Sequence, residues 1–167
     1  MKQPLSVSIE PMRLADLEEV MRIDQRSYPV PWKKEAYLTE LANRAAAYFV
    51  ARSADRIMGY SGEWVIMDEA HITTLACEPL YRGRRVGEKL LTALIEEAQV
   101  RRASHITLEV REGNLPAQKL YEKYGFEPVG IRRSYYSDNG ENAIVMWVSD
   151  ILQPAFQQKL QQRKQLW

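Results

Sequence analysis

Near the middle of the chain the strand pattern His71–Cys77 gives way, through Tyr81-Arg82-Gly83-Arg84-Arg85-Val86-Gly87-Glu88, to apolar residues at helical spacing: Val86, Leu90, Leu91, Leu94, Ile95 and Ala98. A hydrophobic period that changes across one short turn requires a strand, a reversal and a helix start in immediate succession. The turn also has the make-up of an anion cradle. Backbone N–H groups at a helix start lack intrahelical partners and lie at the positive end of the dipole, which favours a phosphate there. Arg82, Arg84 and Arg85 add charge and forked donors. Read alone, the turn fits a phosphate site and a solvated helix cap equally well. It is not a P-loop, because no Gly-Lys-Ser/Thr follows. It is not a Rossmann fingerprint, because the glycine spacing fails and the strands before it read as antiparallel hairpins.

The flanking sequence supplies the other elements. Val7 and Ile9 alternate as a strand ending at Pro11, and a helix from Leu14 to about Arg26 carries an inner stripe of Leu14, Leu17, Val20, Met21 and Ile23. Tyr28-Pro29-Val30-Pro31-Trp32 breaks it. A second helix runs from about Lys33 to Asn43, followed by strands near Ala47–Arg52, Met58–Met67 and His71–Cys77. Gly59 and Gly62 mark bulged or closely approached backbone in the second of these. After the central helix, Ile106, Leu108 and Val110 alternate as a strand, and a helix from Leu115 to Tyr124 stops at Gly125. Strands Val129–Tyr136 and Ala143–Val148 then form a hairpin about Ser137-Asp138-Asn139-Gly140. This order predicts the α/β class, an α+β mixed sheet within one domain.

With 167 residues, 46% of them hydrophobic, the chain can bury one sizeable core, and a single domain over 1–150 accommodates it. The remainder, 151–167, is a basic, glutamine-rich tail. Phe156 and Leu160, four apart, suit a docked helix, while Lys159, Arg163 and Lys164 with no acid after Asp150 suit a frayed end. A net charge of +1 offers no bulk attraction to nucleic acid or to an anionic membrane, so neither partner is expected. The single Cys77 excludes an internal disulfide, and no cluster of metal ligands is seen. Met1-Lys2-Gln3-Pro4-Leu5-Ser6 lacks the apolar core of a signal peptide, and no run approaches the roughly 20 apolar residues of a membrane span. A cytoplasmic protein is expected.

Several residues could carry chemistry, each with a plainer reading beside it. Glu109 interrupts an apolar strand, as an outward residue of an alternating pattern or as a base. Tyr121, in Leu120-Tyr121-Glu122-Lys123-Tyr124-Gly125-Phe126, suits a core aromatic with its hydroxyl at the surface. Asn114 suits the cap of the helix opened by Leu115-Pro116. Cys77 reads as a small buried thiol, since no His-Asp or His-Asn pattern accompanies it. His71 and His105, at strand starts, read better as satisfied structural histidines than as bases.

Together these segments resemble the GNAT superfamily of acetyl-CoA-dependent N-acetyltransferases. Arg82-x-x-Arg85-x-Gly87 is similar to its Gln/Arg-x-x-Gly-x-Gly/Ala pyrophosphate signature, and Asn114 to Phe126 is similar to its Asn-x-x-Ala-x-x-Leu-Tyr-x-x-x-Gly-Phe block. The resemblance extends to about Val148. It implies a GNAT-like fold, with a central mixed, mostly antiparallel sheet flanked by helices, acetyl-CoA as co-substrate and no metal. By this likeness Glu109 is the general base, Tyr121 the general acid and Asn114 a contact to the cofactor. Leu75, Ala76 and Cys77 would pair their backbone with pantetheine, and Arg82, Gly83, Arg84, Arg85, Val86, Gly87 and Glu88 would hold the pyrophosphate. Arg85 stands where the family has glycine, and a negative φ would let arginine fit there without strain.

Pro31-Trp32, Leu108-Glu109-Val110-Arg111, Ile131-Arg132-Arg133-x-Tyr135-Tyr136 and Ala143-Ile144-x-Met146 further resemble the branch that acetylates the N-terminal alanine of a ribosomal protein. This likeness implies a protein N-terminus as acceptor, with Trp32, Tyr135 and Tyr136 on the acceptor side. Acetylation of a lysine or a small amine, and a non-catalytic acyl-CoA-binding protein, are the competing expectations. The chemistry suits the first. A peptide α-amine, with a pKa near 7.7 to 8.0, must lose a proton before it attacks a thioester. Glu109, raised in pKa by partial burial or acting through water, would accept it. A backbone N–H near Cys77 would stabilise the oxyanion, and Tyr121 would protonate the departing thiolate.

Overall fold

The computed structural model describes residues 6–167, so Met1 to Leu5 of the start read above lie outside the described residues. The elements are β1 (Ser8–Pro11), α1 (Leu17–Ser27), α2 (Lys34–Ala42), β2 (Ala46–Ser53), β3 (Arg56–Ile66), β4 (Glu69–Cys77), α3 (Val86–Val100), β5 (His105–Arg111), α4 (Leu115–Lys123), β6 (Glu127–Arg132), β7 (Ala143–Val148) and α5 (Pro154–Lys164). The strands hydrogen-bond in the order β1-β2-β3-β4-β5-β7-β6. β4 and β5 are parallel, while β1 with β2, β5 with β7 and β6 with β7 are antiparallel. The mixed, mostly antiparallel sheet and its helices match the class read from the sequence. The chain forms two compact units, the first of residues up to Glu63 with Thr73–Leu94, the second of Trp64–Ile72 with Ile95–Trp167.

In the first unit α1 buries Leu17, Val20 and Ile23 in a cluster with Tyr37, Tyr48, Val50, Ile57 and Tyr60. Leu14, expected on the inner stripe, is 66% exposed. The reason is local: Leu14–Asp16 is a 3₁₀ turn, held by the Arg13 N–H donating to Asp16 Oδ2 at 2.8 Å and by Arg52 reaching Asp16 Oδ1 at 2.6 Å. The α-helical phase starts only at Leu17, so a stripe counted from Leu14 begins out of phase. Near the end of α1 the buried Asp24 accepts the Tyr60 hydroxyl and the Trp32 N–H, both at 2.8 Å, which fixes the proline-rich break. Gly62 is required by close approach, since a Cβ there would lie 2.2 Å from the Tyr48 ring.

In the second unit the burial of β5 alternates strictly, with Ile106, Leu108 and Val110 buried and Thr107, Glu109 and Arg111 on the half-exposed face. The tail is a helix and not a frayed end. Leu160 of α5 is buried, Lys164 pairs with Glu96 of α3, and the Gln99 side chain donates to the Ile151 carbonyl at 2.8 Å. The strand expected over Val129–Tyr136 instead ends at Arg132. Ser134 takes a positive φ of 50°, and its N–H donates to Asn142 Oδ1 at 2.9 Å. Tyr135 and Tyr136 therefore lie in the connection between β6 and β7. No described helix is long and apolar enough to cross a membrane, and no metal-binding cluster is found among the described residues.

Candidate active site

The second unit brings a histidine and an arginine to one carboxylate. Parallel pairing sets His71 of β4 opposite Thr107 of β5, so His71 faces Glu109, the next residue on that side of the sheet. His71 Nε2–H donates to Glu109 Oε2 at 2.6 Å, and Arg132 of β6 brings Nε to 3.3 Å from Oε1. The His71 ring stands edge-on to Trp64, centroids 6.3 Å apart. The Glu109 side chain is 12% exposed. Its pKa lies below the ordinary carboxylate value, because the His71 hydrogen bond, the His71 charge and Arg132 outweigh the opposing effect of burial. This corrects the expectation that burial would raise it. Glu109 is an ionised acceptor, and His71 Nε2–H is the donor that faces it.

Two other predicted site residues lie on or next to α4. Asn114 is the helix cap, its Oδ1 accepting the Ala117 N–H at 3.2 Å. Tyr121 is buried, its ring 5.6 Å from Phe126. In the β6–β7 connection Tyr135 and Tyr136 meet edge to face at 5.1 Å, and the Arg132 guanidinium lies 6.0 Å from the Tyr135 ring. Glu109, Arg132 and Tyr135 thus form one chain of contacts. Sequence reasoning picked out Glu109 but placed neither of its partners, His71 and Arg132, in the site. The usable signal was the two-residue period, which places every second residue of a strand on one face.

The first unit holds the predicted cofactor residues other than Asn114. The Tyr28 hydroxyl donates to the Leu75 carbonyl at 2.9 Å, and Arg82 Nε donates to the Cys77 carbonyl at 3.4 Å. A Cβ on Gly59 would lie 2.7 Å from the Ala76 carbonyl oxygen, so this glycine lets β3 approach β4 closely. Desolvation pushes the Cys77 thiol up to about 11, as suits an inert, half-buried cysteine. The arginine turn leads into α3, whose first turn includes Val86, Gly87 and Glu88. Gly83 and Arg85 have φ of 72° and 62°, the Arg84 guanidinium lies 5.9 Å from the Tyr81 ring, and the Arg85 carbonyl accepts the Lys89 N–H at 3.0 Å. Arg85 is therefore left-handed, contrary to the negative φ that would have made arginine free of strain there. Trp32 packs its ring 5.3 Å from Tyr37, at the edge of the α1–α2 core.

Comparison with known proteins converges on one family. The chain is 43% identical over 143 residues, 85% of its own length and 95% of the other's, to a Bacillus subtilis protein provisionally named a ribosomal protein bS18-alanine N-acetyltransferase. It is 36% identical over 143 residues, 83% of the chain and 97% of the relative, to the ribosomal protein bS18-alanine N-acetyltransferase of Haemophilus ducreyi. The crystal structure of the Escherichia coli ribosomal-protein-S18-alanine N-acetyltransferase superposes with a TM-score of 0.79 at 30% identity, covering 86% of this chain and 94% of that one. Residues 17–126 match the acetyltransferase (GNAT) family, and the chain belongs to it.

Proposed function

We propose that this acetyl-CoA-dependent N-acetyltransferase is of the RimI type, acetylating the N-terminal alanine of ribosomal protein bS18, the activity for which its relatives are named. The observation that carries the mechanism is the Glu109 carboxylate, held ionised by His71 and Arg132. A carboxylate with a lowered pKa is a weak base toward a free ammonium. It is adequate once attack has begun, because a nitrogen bonding to a carbonyl becomes far more acidic.

The sequence of events follows. The α-amine, near half neutral at a pH close to 7.7 to 8.0, attacks the thioester carbonyl carbon and forms the C–N bond. Glu109 takes the proton released from that nitrogen, directly or through one water. Backbone N–H near Cys77 stabilises the oxyanion. Its collapse breaks the C–S bond, and Tyr121 gives its hydroxyl proton to the thiolate. No covalent enzyme intermediate forms. Leu75, Ala76 and Cys77 hold pantetheine, Asn114 contacts the cofactor, and the turn from Arg82 to Glu88 takes the pyrophosphate. Two left-handed residues in that turn, Gly83 and Arg85, give the bent backbone that gathers N–H groups about an anion. Tyr135, Tyr136 and Trp32 form the acceptor side.

The test is product mapping by mass spectrometry after incubation of the purified protein with acetyl-CoA. The substrates are an alanine-ended peptide of the bS18 N-terminus and a lysine peptide with a blocked terminus. Acetyl on the alanine nitrogen supports the proposal, and modification confined to lysine defeats it.

A further inference from the structure

Beside the machinery just described, Arg111 of β5 makes an unusual set of contacts with the β6–β7 connection. Its guanidinium carbon lies 3.9 Å from the centroid of the Tyr136 ring. Nη2 donates to Asp138 Oδ1 at 2.9 Å, and Nη1 donates to Glu141 Oε1 at 3.2 Å and Asn139 Oδ1 at 3.4 Å. One planar cation therefore stacks on an aromatic ring and forks to three residues of the same loop, a combination that lysine cannot reproduce.

The loop's other bonds are local: the Tyr136 N–H donates to the Glu141 carbonyl at 3.1 Å, the Gly140 N–H to the Tyr136 carbonyl at 2.8 Å and the Glu141 N–H to Asn139 Oδ1 at 2.9 Å. Ser134, Tyr135, Ser137, Asp138, Asn139 and Gly140 are exposed, so no apolar core beneath them dictates one conformation. Its ties to the segment after β5 lead to the same place. Glu141 uses its other oxygen, Oε2, to accept the Gly113 N–H at 2.8 Å, two residues beyond Arg111. A Cβ at Gly113 would come within 2.9 Å of that oxygen, so the glycine keeps the approach open. Gln118 of α4 donates to the Arg111 and Glu112 carbonyls at 3.0 and 2.9 Å. Arg111 and Glu141 thus lock the hairpin to the segment that opens α4, the helix carrying Tyr121.

We propose that Arg111 is a positioning residue for the acceptor: through Tyr136, Asp138 and Glu141 it holds the hairpin bearing Tyr135 and Tyr136 in the shape that receives the incoming N-terminus. It acts through these residues and touches no substrate itself. The proposal rests on the reading of Tyr135 and Tyr136 as the acceptor side.

Steady-state kinetics with each substrate varied in turn, joined to amide hydrogen exchange, tests it. Arg111→Met raises the acceptor KM about tenfold, the combined scale of a stacked guanidinium and partly exposed ion pairs. The KM for acetyl-CoA stays within about twofold, and exchange quickens across residues 133–142. Arg111→Lys recovers only part of the loss. Should Arg111→Met fold poorly, Asp138→Asn carries the test with a smaller rise in the same KM. An acceptor KM unmoved in these variants, or a rise shared equally by both substrates, overturns the proposal. The underlying reading fails separately: Tyr135→Ala and Tyr136→Ala that leave the acceptor KM unchanged remove the acceptor wall and the proposal together. A wall that responds beside a clamp that does not removes the clamp alone.

Discussion

His71 on β4 donates its Nε2–H to Glu109 on β5 across 2.6 Å, and this bond between parallel neighbours sets the charge state of the carboxylate. A carboxylate in an apolar strand would by burial alone tend toward neutrality. Here the direction is reversed, because two donors converge on it from the strands β4 and β6.

The reversal has a pH signature in stability. The Glu109 pKa in the folded chain is below its ordinary value of 4.5, so its contribution is complete above that value and is lost as pH falls through the lower folded value. Glu109→Gln lacks that contribution. Urea unfolding at stepped pH is expected to show the wild type more stable than the variant above about pH 5, with the difference closing toward lower pH.

Arg85, at φ 62°, carries a strain that glycine would not. The left-handed conformation costs a non-glycine residue about 1 kcal/mol, and the greater unfolded-state freedom of glycine offsets about 0.5–1 kcal/mol of any relief. Arg85→Gly is therefore expected to leave unfolding stability within about 1 kcal/mol of wild type. Arg85→Val, β-branched at the same φ, is expected to lose about 1–2 kcal/mol. Urea denaturation of both variants checks this.

Cys77 is expected to take no chemical part. Its thiol, pushed up to about 11 by burial, stays protonated at neutral pH. Cys77→Ala should keep kcat within about twofold, and alkylation of the native protein by iodoacetamide should be slow beside that of the unfolded chain.

The tail is expected to contribute to the stability of its unit. Leu160, 4% exposed, is the buried anchor of α5. Leu160→Ala is expected to cost about 2–3 kcal/mol, read from the urea midpoint at unchanged m-value.

Most elements were legible in the sequence because each carries its own period. The two-residue alternation of Ile106, Leu108 and Val110 and the helical spacing of Val86 to Ala98 are local signals, and both elements stand where expected. The misreadings fall where distant residues override local pattern. Leu14 faces outward because Asp16 is held by Arg52, 36 positions away, and the extended run toward Tyr136 is cut short at Arg132 by the Ser134–Asn142 bond. Motif singled out Glu109, Asn114 and Tyr121 as candidates, but the low pKa of Glu109 was not legible. It depends on the β4–β5 register and on Arg132 from β6, neither of which any local segment states. Likewise the fate of the tail turned on contacts from α5 to Glu96 and the surrounding core, which composition alone left open.

The central claim is that the ionised Glu109 carboxylate takes the proton of the attacking amine. Its most direct measurement is the turnover of Glu109→Gln on an alanine-ended peptide, paired with calorimetric affinity for acetyl-CoA. The account expects kcat to fall by about a hundredfold or more with acetyl-CoA affinity nearly unchanged. Unchanged turnover would contradict it and pass the role of base to another group, His71 first.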